Sequence, residues 1–146
     1  MFRFRALFAL IALAVACGGR DAPAPAGSLS VHDAWARAAD SGMVTAVYLS
    51  LVNTERAAVT LTGAASPLAD AVSLHMTHEM DGMVHMMPLD SAPIAPGDSL
   101  VLAVNAKHLM VNGLRRKLAA GDSLPVTLSF TGGRTLEFRA LVRSPY

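Results

Sequence analysis

Cysteine is almost missing from this chain: Cys17 is the only one in 146 residues. That excludes internal disulfides, paired-Cys zinc sites and dithiol redox chemistry. Charge is also scarce, at 16% of residues against roughly 25% in ordinary soluble domains. The formal balance is +1, and leaving out Arg3 and Arg5 at the N-terminus turns it to −1. A chain so nearly neutral has no basic field with which to hold nucleic acid or an anionic membrane. Paired-carboxylate motifs, a nucleophile with a plausible base and a Gly-rich phosphate loop are likewise absent, so nothing points to an enzyme. The length fits one domain with an appendage.

The appendage is legible at the N-terminus. MFRFR carries two arginines, and residues 6–16 (ALFALIALAVA) form an uninterrupted apolar run of eleven. Eleven residues are too few to span a bilayer, which takes about 20, but they suit the core of a signal peptide. Cys17 follows at once, as in a bacterial lipobox, where the thiol is acylated. The Leu expected three places earlier is Ala14 here, and Leu13 stands one step further out. Ala14-Val15-Ala16 also fits a small-x-small cleavage site, which would release a soluble form. Both readings export the chain to the periplasm or cell envelope. Residues 1–17 are therefore read as a signal peptide with a lipobox Cys, and residues 18–28 (GGRDAPAPAGS) as a flexible tether too poor in apolar side chains to fold. The folded unit spans 29–146.

Within that unit, short alternating or β-branched runs recur between turn formers. Strands are expected at 29–33, 46–53, 57–63, 70–77, 83–87, 99–104, 107–112, 124–131 and 134–142. Turns are expected at Asn53-Thr54-Glu55, Ser66-Pro67, Asp81-Gly82, Pro96-Gly97-Asp98, Gly121-Asp122 and Gly132-Gly133. No segment after the leader sustains a 3.6-residue apolar period, and 114–120 (LRRKLAA) reads as a single turn or loop. Eight or nine short strands at this spacing indicate an all-β, antiparallel Greek-key sandwich or barrel.

The chemistry is concentrated in residues 75–87, HMTHEMDGMVHMM, with three His and five Met in thirteen positions. The whole chain holds only five His and eight Met, and a smaller group follows at His108-Leu109-Met110. Core filling accounts for a single methionine, but strand residues alternate between faces and these occupy both. Thioether sulfur is soft and selects Cu(I) over harder dications, and imidazole adds a firmer donor. Four neutral ligands suit a monovalent ion. Composition thus points to copper in the cuprous state.

Asp81-Gly82 is a two-residue hairpin signal, which pairs Met80 with Met83 and Thr77 with Met86. His75, Thr77 and Met86 then share one face, while Met76, His78, Met80, Met83, His85 and Met87 share the other. His108 and Met110 are two apart and project together. Spacing alone leaves both hairpin faces open as metal sites.

The pattern His75, ten residues, Met86, twenty-one residues, His108, one residue, Met110 resembles the periplasmic copper chaperones of the PCu(A)C family. The surrounding text is similar too: Asp33-Ala34-Trp35-Ala36-Arg37, Tyr48-Leu49-x-Leu51-x-Asn53, Ala65-Ser66-Pro67, Gly113-Leu114, and Gly121-Asp122 through Pro125 to Phe130. The likeness covers residues 30–142. It implies a cupredoxin-like β-sandwich holding one Cu(I) on His75, Met86, His108 and Met110. It further implies copper delivery for the dinuclear CuA centre of cytochrome c oxidase, alongside a Sco-type thiol protein. Some members carry a His/Met-rich C-terminal tail, and Arg143-Ser144-Pro145-Tyr146 predicts none here. A blue-copper electron carrier would need a Cys thiolate in the fold. A periplasmic copper storage or resistance protein, binding several ions through the hairpin, is the alternative, and an adhesive or ligand-binding sandwich with an incidental Met-rich turn is a third reading.

Overall fold

The computed structural model describes residues 27–144. The signal peptide, Cys17 and nearly all of the tether lie outside the described residues. Ten strands follow in chain order: β1 (Leu29–Arg37), β2 (Thr45–Asn53), β3 (Val59–Ala65), β4 (Ala69–Met80), β5 (Met83–Pro88), β6 (Ala92–Ile94), β7 (Ser99–Leu102), β8 (Lys107–Leu114), β9 (Ser123–Phe130) and β10 (Thr135–Arg143). A 3-10 turn at Thr131–Gly133 is the sole helical element among the described residues.

Seven strands run in the order β4-β8-β2-β1-β10-β9-β3, and an Ala64–Val72 pairing joins β3 back to β4, closing a barrel. Closure removes the open edges that a flat sheet would expose. The other three strands are extensions: β5 on β4, β6 on β3 and β7 on β2. Pairing is antiparallel everywhere except between the first and last strands, β1 and β10, which run parallel. The fold is all-β, as the strand spacing led us to expect, with ten strands where eight or nine were expected, and it is cupredoxin-like, as the family resemblance implied.

The alternation in sequence is what builds the core. In β9 every second residue, Leu124, Val126, Leu128 and Phe130, is buried. Val47, Leu49 and Leu51 of β2, Leu74 of β4 and Leu109 and Val111 of β8 point into the same interior. Each fully buried aliphatic side chain contributes about 1.5–3 kcal/mol by leaving water. Buried Asn53 supplies the polar lock at one end of β2. Its Nδ2 lies 2.9 Å from the Ala57 carbonyl and 3.2 Å from those of Ile94 and Ala95, and its Oδ1 accepts the Glu55 N–H at 2.9 Å.

Most strand ends shift by one to three residues from the sequence reading, and two larger departures, a longer β1 and an unexpected β6, have identifiable reasons. β1 continues past 33 because a bulge between His32 and Trp35 absorbs the irregularity, with Asp33 at φ 51°. β6 contains Pro93, and proline argues against a strand except at an edge; here it pairs with Thr60 beside the first half of β3. The stretch 114–120 is not helical, and buried Leu118 anchors it by bridging to Ala39.

Candidate metal centre

β4 is twelve residues long and outruns its neighbours, so its far end folds back with β5 as a hairpin. Asp81 and Gly82 both have positive φ, 55° and 74°, as a tight two-residue turn demands. The register follows: Met80 opposite Met83, His78 opposite His85, Thr77 opposite Met86 and Met76 opposite Met87. On its other side β4 pairs with β8, which sets His75 opposite His108 and Ser73 opposite Met110.

His75 and His108 therefore stand side by side on the outer wall of the barrel, ring centroids 6.1 Å apart at 32°. Their chain neighbours Leu74 and Leu109 point inward and are buried, which pins both imidazoles to the outer face. His108 is itself only 5% exposed. Its Nδ1 lies 3.1 Å from the Ala106 carbonyl, which can only accept, so Nδ1 carries the proton and Nε2 keeps a free lone pair. His75 is held by its Nε2, 3.0 Å from Ser73 Oγ, while its Nδ1 is buried without any hydrogen-bond partner. An orphaned buried ring nitrogen costs free energy, and a metal ion satisfies it if the proton sits on Nε2. Burial, and then the charge of His108 alongside, lower the His75 pKa from its ordinary 6.5. Both effects favour the neutral, ligating form.

A cleft opens beside this pair. Met86, Thr77, His108, Tyr48, Thr45, Asn105 and Arg37 are among the residues lining it. Tyr48 packs between His108, at 6.4 Å between ring centroids, and Trp35, at 4.5 Å. Arg37 lies over Tyr48 and Arg143 over Trp35, 5.7 and 5.4 Å from the ring centroids. Among the described residues no carboxylate lines the cleft. Nor is there, among the described residues, a cluster of three or more His, Cys, Asp or Glu suited to a metal. The donors gathered here are imidazole and thioether, which fit a soft monovalent cation and not a hard dication.

The four residues that the family resemblance implied, His75, Met86, His108 and Met110, share one face. The structure brings His75 and His108 together on one rung and puts Met86 in the cleft with His108. Met110 sits on the next rung of β8, half-buried between Ser73 of β4 and Ala46 of β2, on the side of the imidazoles away from Met86. The supporting residues Tyr48, Trp35, Arg37, Ser73 and Ala106 were not foreseen as part of a site. In the sequence Trp35, Arg37 and Tyr48 stand out only as part of the family-like text, and the bulge that aims Trp35 at Tyr48 leaves no signal in hydropathy.

Comparison with known proteins agrees with this architecture. The family model "LpqE-like: Putative lipoprotein LpqE-like" matches residues 29–142. A relative from Leifsonia xyli subsp. xyli (strain CTCB07), "Putative lipoprotein Lxx21020", is 37% identical over 111 residues, 75% of this chain and 66% of that protein. The chain thus spans about two thirds of that relative's length. Among solved structures, the copper-bound PCuAC domain from PmoF2 superposes with TM-score 0.67 at 20% identity, covering 82% of this chain and 96% of that one. At that identity the likeness speaks for the fold. The solution structure of Cu(I)-DR1885 from Deinococcus radiodurans is 34% identical, covers 87% of this chain and 83% of that one, and has TM-score 0.55. From a match running through almost the whole barrel, from the first residue of β1 to the penultimate residue of β10, it follows that this chain belongs to the LpqE-like family.

Proposed function

We propose that this chain is an extracytoplasmic Cu(I) metallochaperone, a carrier and not an enzyme, that takes one ion on His75, Met86, His108 and Met110. The observation that carries the reading is the opposed His75–His108 pair, with one orphaned buried nitrogen and one free Nε2 lone pair, beside a cleft that Met86 shares. Cu(I) is here the cargo. The imidazoles supply the firmer hold, and the thioethers are weak enough to be displaced one at a time. Met86 is 57% exposed, so an incoming ligand from a recipient reaches the cleft before the imidazoles let go. The 34% identity with a protein solved in its Cu(I) form supports the same cargo.

The recipient we propose is the CuA-bearing subunit of cytochrome c oxidase, with a Sco-type thiol protein acting alongside. Thiolate ligands bind Cu(I) more strongly than thioethers, so transfer in that direction runs downhill. The relatives described as lipoproteins support export and acylation at Cys17, which would hold the carrier at a membrane surface. Delivery is tested by mixing the Cu(I)-loaded chain with an apo CuA domain and a reduced Sco-type protein under anaerobic conditions. Copper recovered on the CuA domain, with the mixed-valence CuA absorption appearing once the colourless dicopper(I) centre is oxidised by one electron with ferricyanide, supports it; copper that stays on the chain in the presence of both contradicts delivery. Storage would instead require three or more equivalents of Cu(I) per chain.

A further inference from the structure

The β4–β5 hairpin runs beyond the end of the barrel, and this has a consequence for its second face. Met76, His78 and Met80 lie on the side of β4 that carries Leu74 into the core, and His85, Met83 and Met87 face them rung for rung. Past Leu74 there is no core left to cover them. His78 and His85 are exposed, and Met80, Met83 and Met87 are 57%, 61% and 51% exposed. A hairpin face in water is expected to be polar. All six positions here are soft metal donors instead, and packing explains none of the five exposed ones.

We propose that this face is a second Cu(I) site, distinct from the His75–His108 site and formed by His78, His85, Met80 and Met83. The register puts these four at the corners of a rectangle roughly 5 Å across the strands and 7 Å along them. Imidazole and thioether side chains of that length close on a common ion from such corners. Electrostatics selects this end of the face. Lys107 pairs with Met76 and sets a positive charge at the barrel end, whereas Asp81 sits in the turn next to Met80. The donor set is again two imidazoles and two thioethers with no thiolate, which suits a monovalent soft ion. The two sites use opposite faces of one hairpin, since His85 and Met86 are consecutive and point apart. The second is the more exposed, as befits a site that captures copper before the better-enclosed one holds it.

The test is an anaerobic Cu(I) titration of the full-length chain against a competing chelator, with two variants in parallel. The first, His75→Ala/Met86→Ala, removes ligands of the cleft; the second, His78→Ala/His85→Ala, alters only exposed hairpin residues. Two equivalents in the parent and one in each variant is the expected result. One equivalent in the parent that persists in His78→Ala/His85→Ala and disappears in His75→Ala/Met86→Ala overturns the second site and leaves the carrier reading intact. The reverse pattern supports the hairpin site and removes the cleft. A second readout uses Ag(I) as probe: the Met80 and Met83 ε-methyl NMR signals should shift during addition of the second equivalent. Signals that stay in place throughout overturn the proposal.

Discussion

His75 and His108 are direct partners on the β4–β8 ladder, with ring centroids 6.1 Å apart and both rings on the outer wall of the barrel. The barrel fixes this juxtaposition, because Leu74 and Leu109 on the same two strands are locked into the core. Two imidazoles so placed resist being protonated together and are ready to share a cation. Several properties of the protein depend on that arrangement.

The first is the titration of His75. Burial and the neighbouring His108 charge lower its folded-state pKa, whereas the unfolded chain keeps the ordinary 6.5. The unfolded state therefore binds the proton at higher pH than the folded one. The contribution to stability is fully present above 6.5 and is lost as pH falls from there through the lowered folded value. In an NMR titration of the apo protein the His75 ring signal should have a midpoint below 6.5. His108→Ala should raise that midpoint only part of the way, since burial remains. A midpoint at or above 6.5 in the parent contradicts the arrangement.

Met86 separates binding from folding. Its side chain is 57% exposed, so Met86→Ala should change stability by no more than about 0.5 kcal/mol. Cu(I) affinity at the cleft should fall by at least about tenfold, equal to about 1.4 kcal/mol. Thermal unfolding and chelator competition on the same sample check both halves.

Leu109 does the opposite. It is fully buried between the two proposed ligands of β8, and Leu109→Ala should cost about 2–5 kcal/mol. The denaturant midpoint should drop with little change in slope. An unchanged midpoint would mean that β8 is not seated as described.

Asn53 tests the lock on the turns. Asn53→Ala removes the acceptor of the Glu55 N–H and the donor shared by the Ala57, Ile94 and Ala95 carbonyls, of which Ala95 still accepts from the Asp98 N–H. A loss of about 1–3 kcal/mol is expected. Hydrogen exchange should quicken at Glu55, far from the cleft, while Cu(I) affinity stays the same.

Much of this was legible in the residues. Alternation in β2, β9 and β10 gave the strands, because each has one face in the core. Asp81-Gly82 gave the hairpin register, because so few residue pairs accept two positive φ values in succession. What stayed hidden depends on contacts between distant segments. β6 is concealed by Pro93, and β1 beyond Asp33 by a bulge. The pairing of His75 with His108 comes from a ladder between strands 33 positions apart, which period and turn chemistry do not set. The Trp35–Tyr48 stack beneath His108 likewise exists only once β1 and β2 are in register.

The central claim, that His75, Met86, His108 and Met110 hold Cu(I), is tested most directly in the His78→Ala/His85→Ala background. There we would titrate Cu(I) anaerobically against a chelator and record X-ray absorption of the loaded form. One equivalent with mixed nitrogen and sulfur coordination, abolished by adding His75→Ala and Met86→Ala, is the predicted result. An equivalent that survives those two substitutions, or a spectrum without sulfur neighbours, would contradict it.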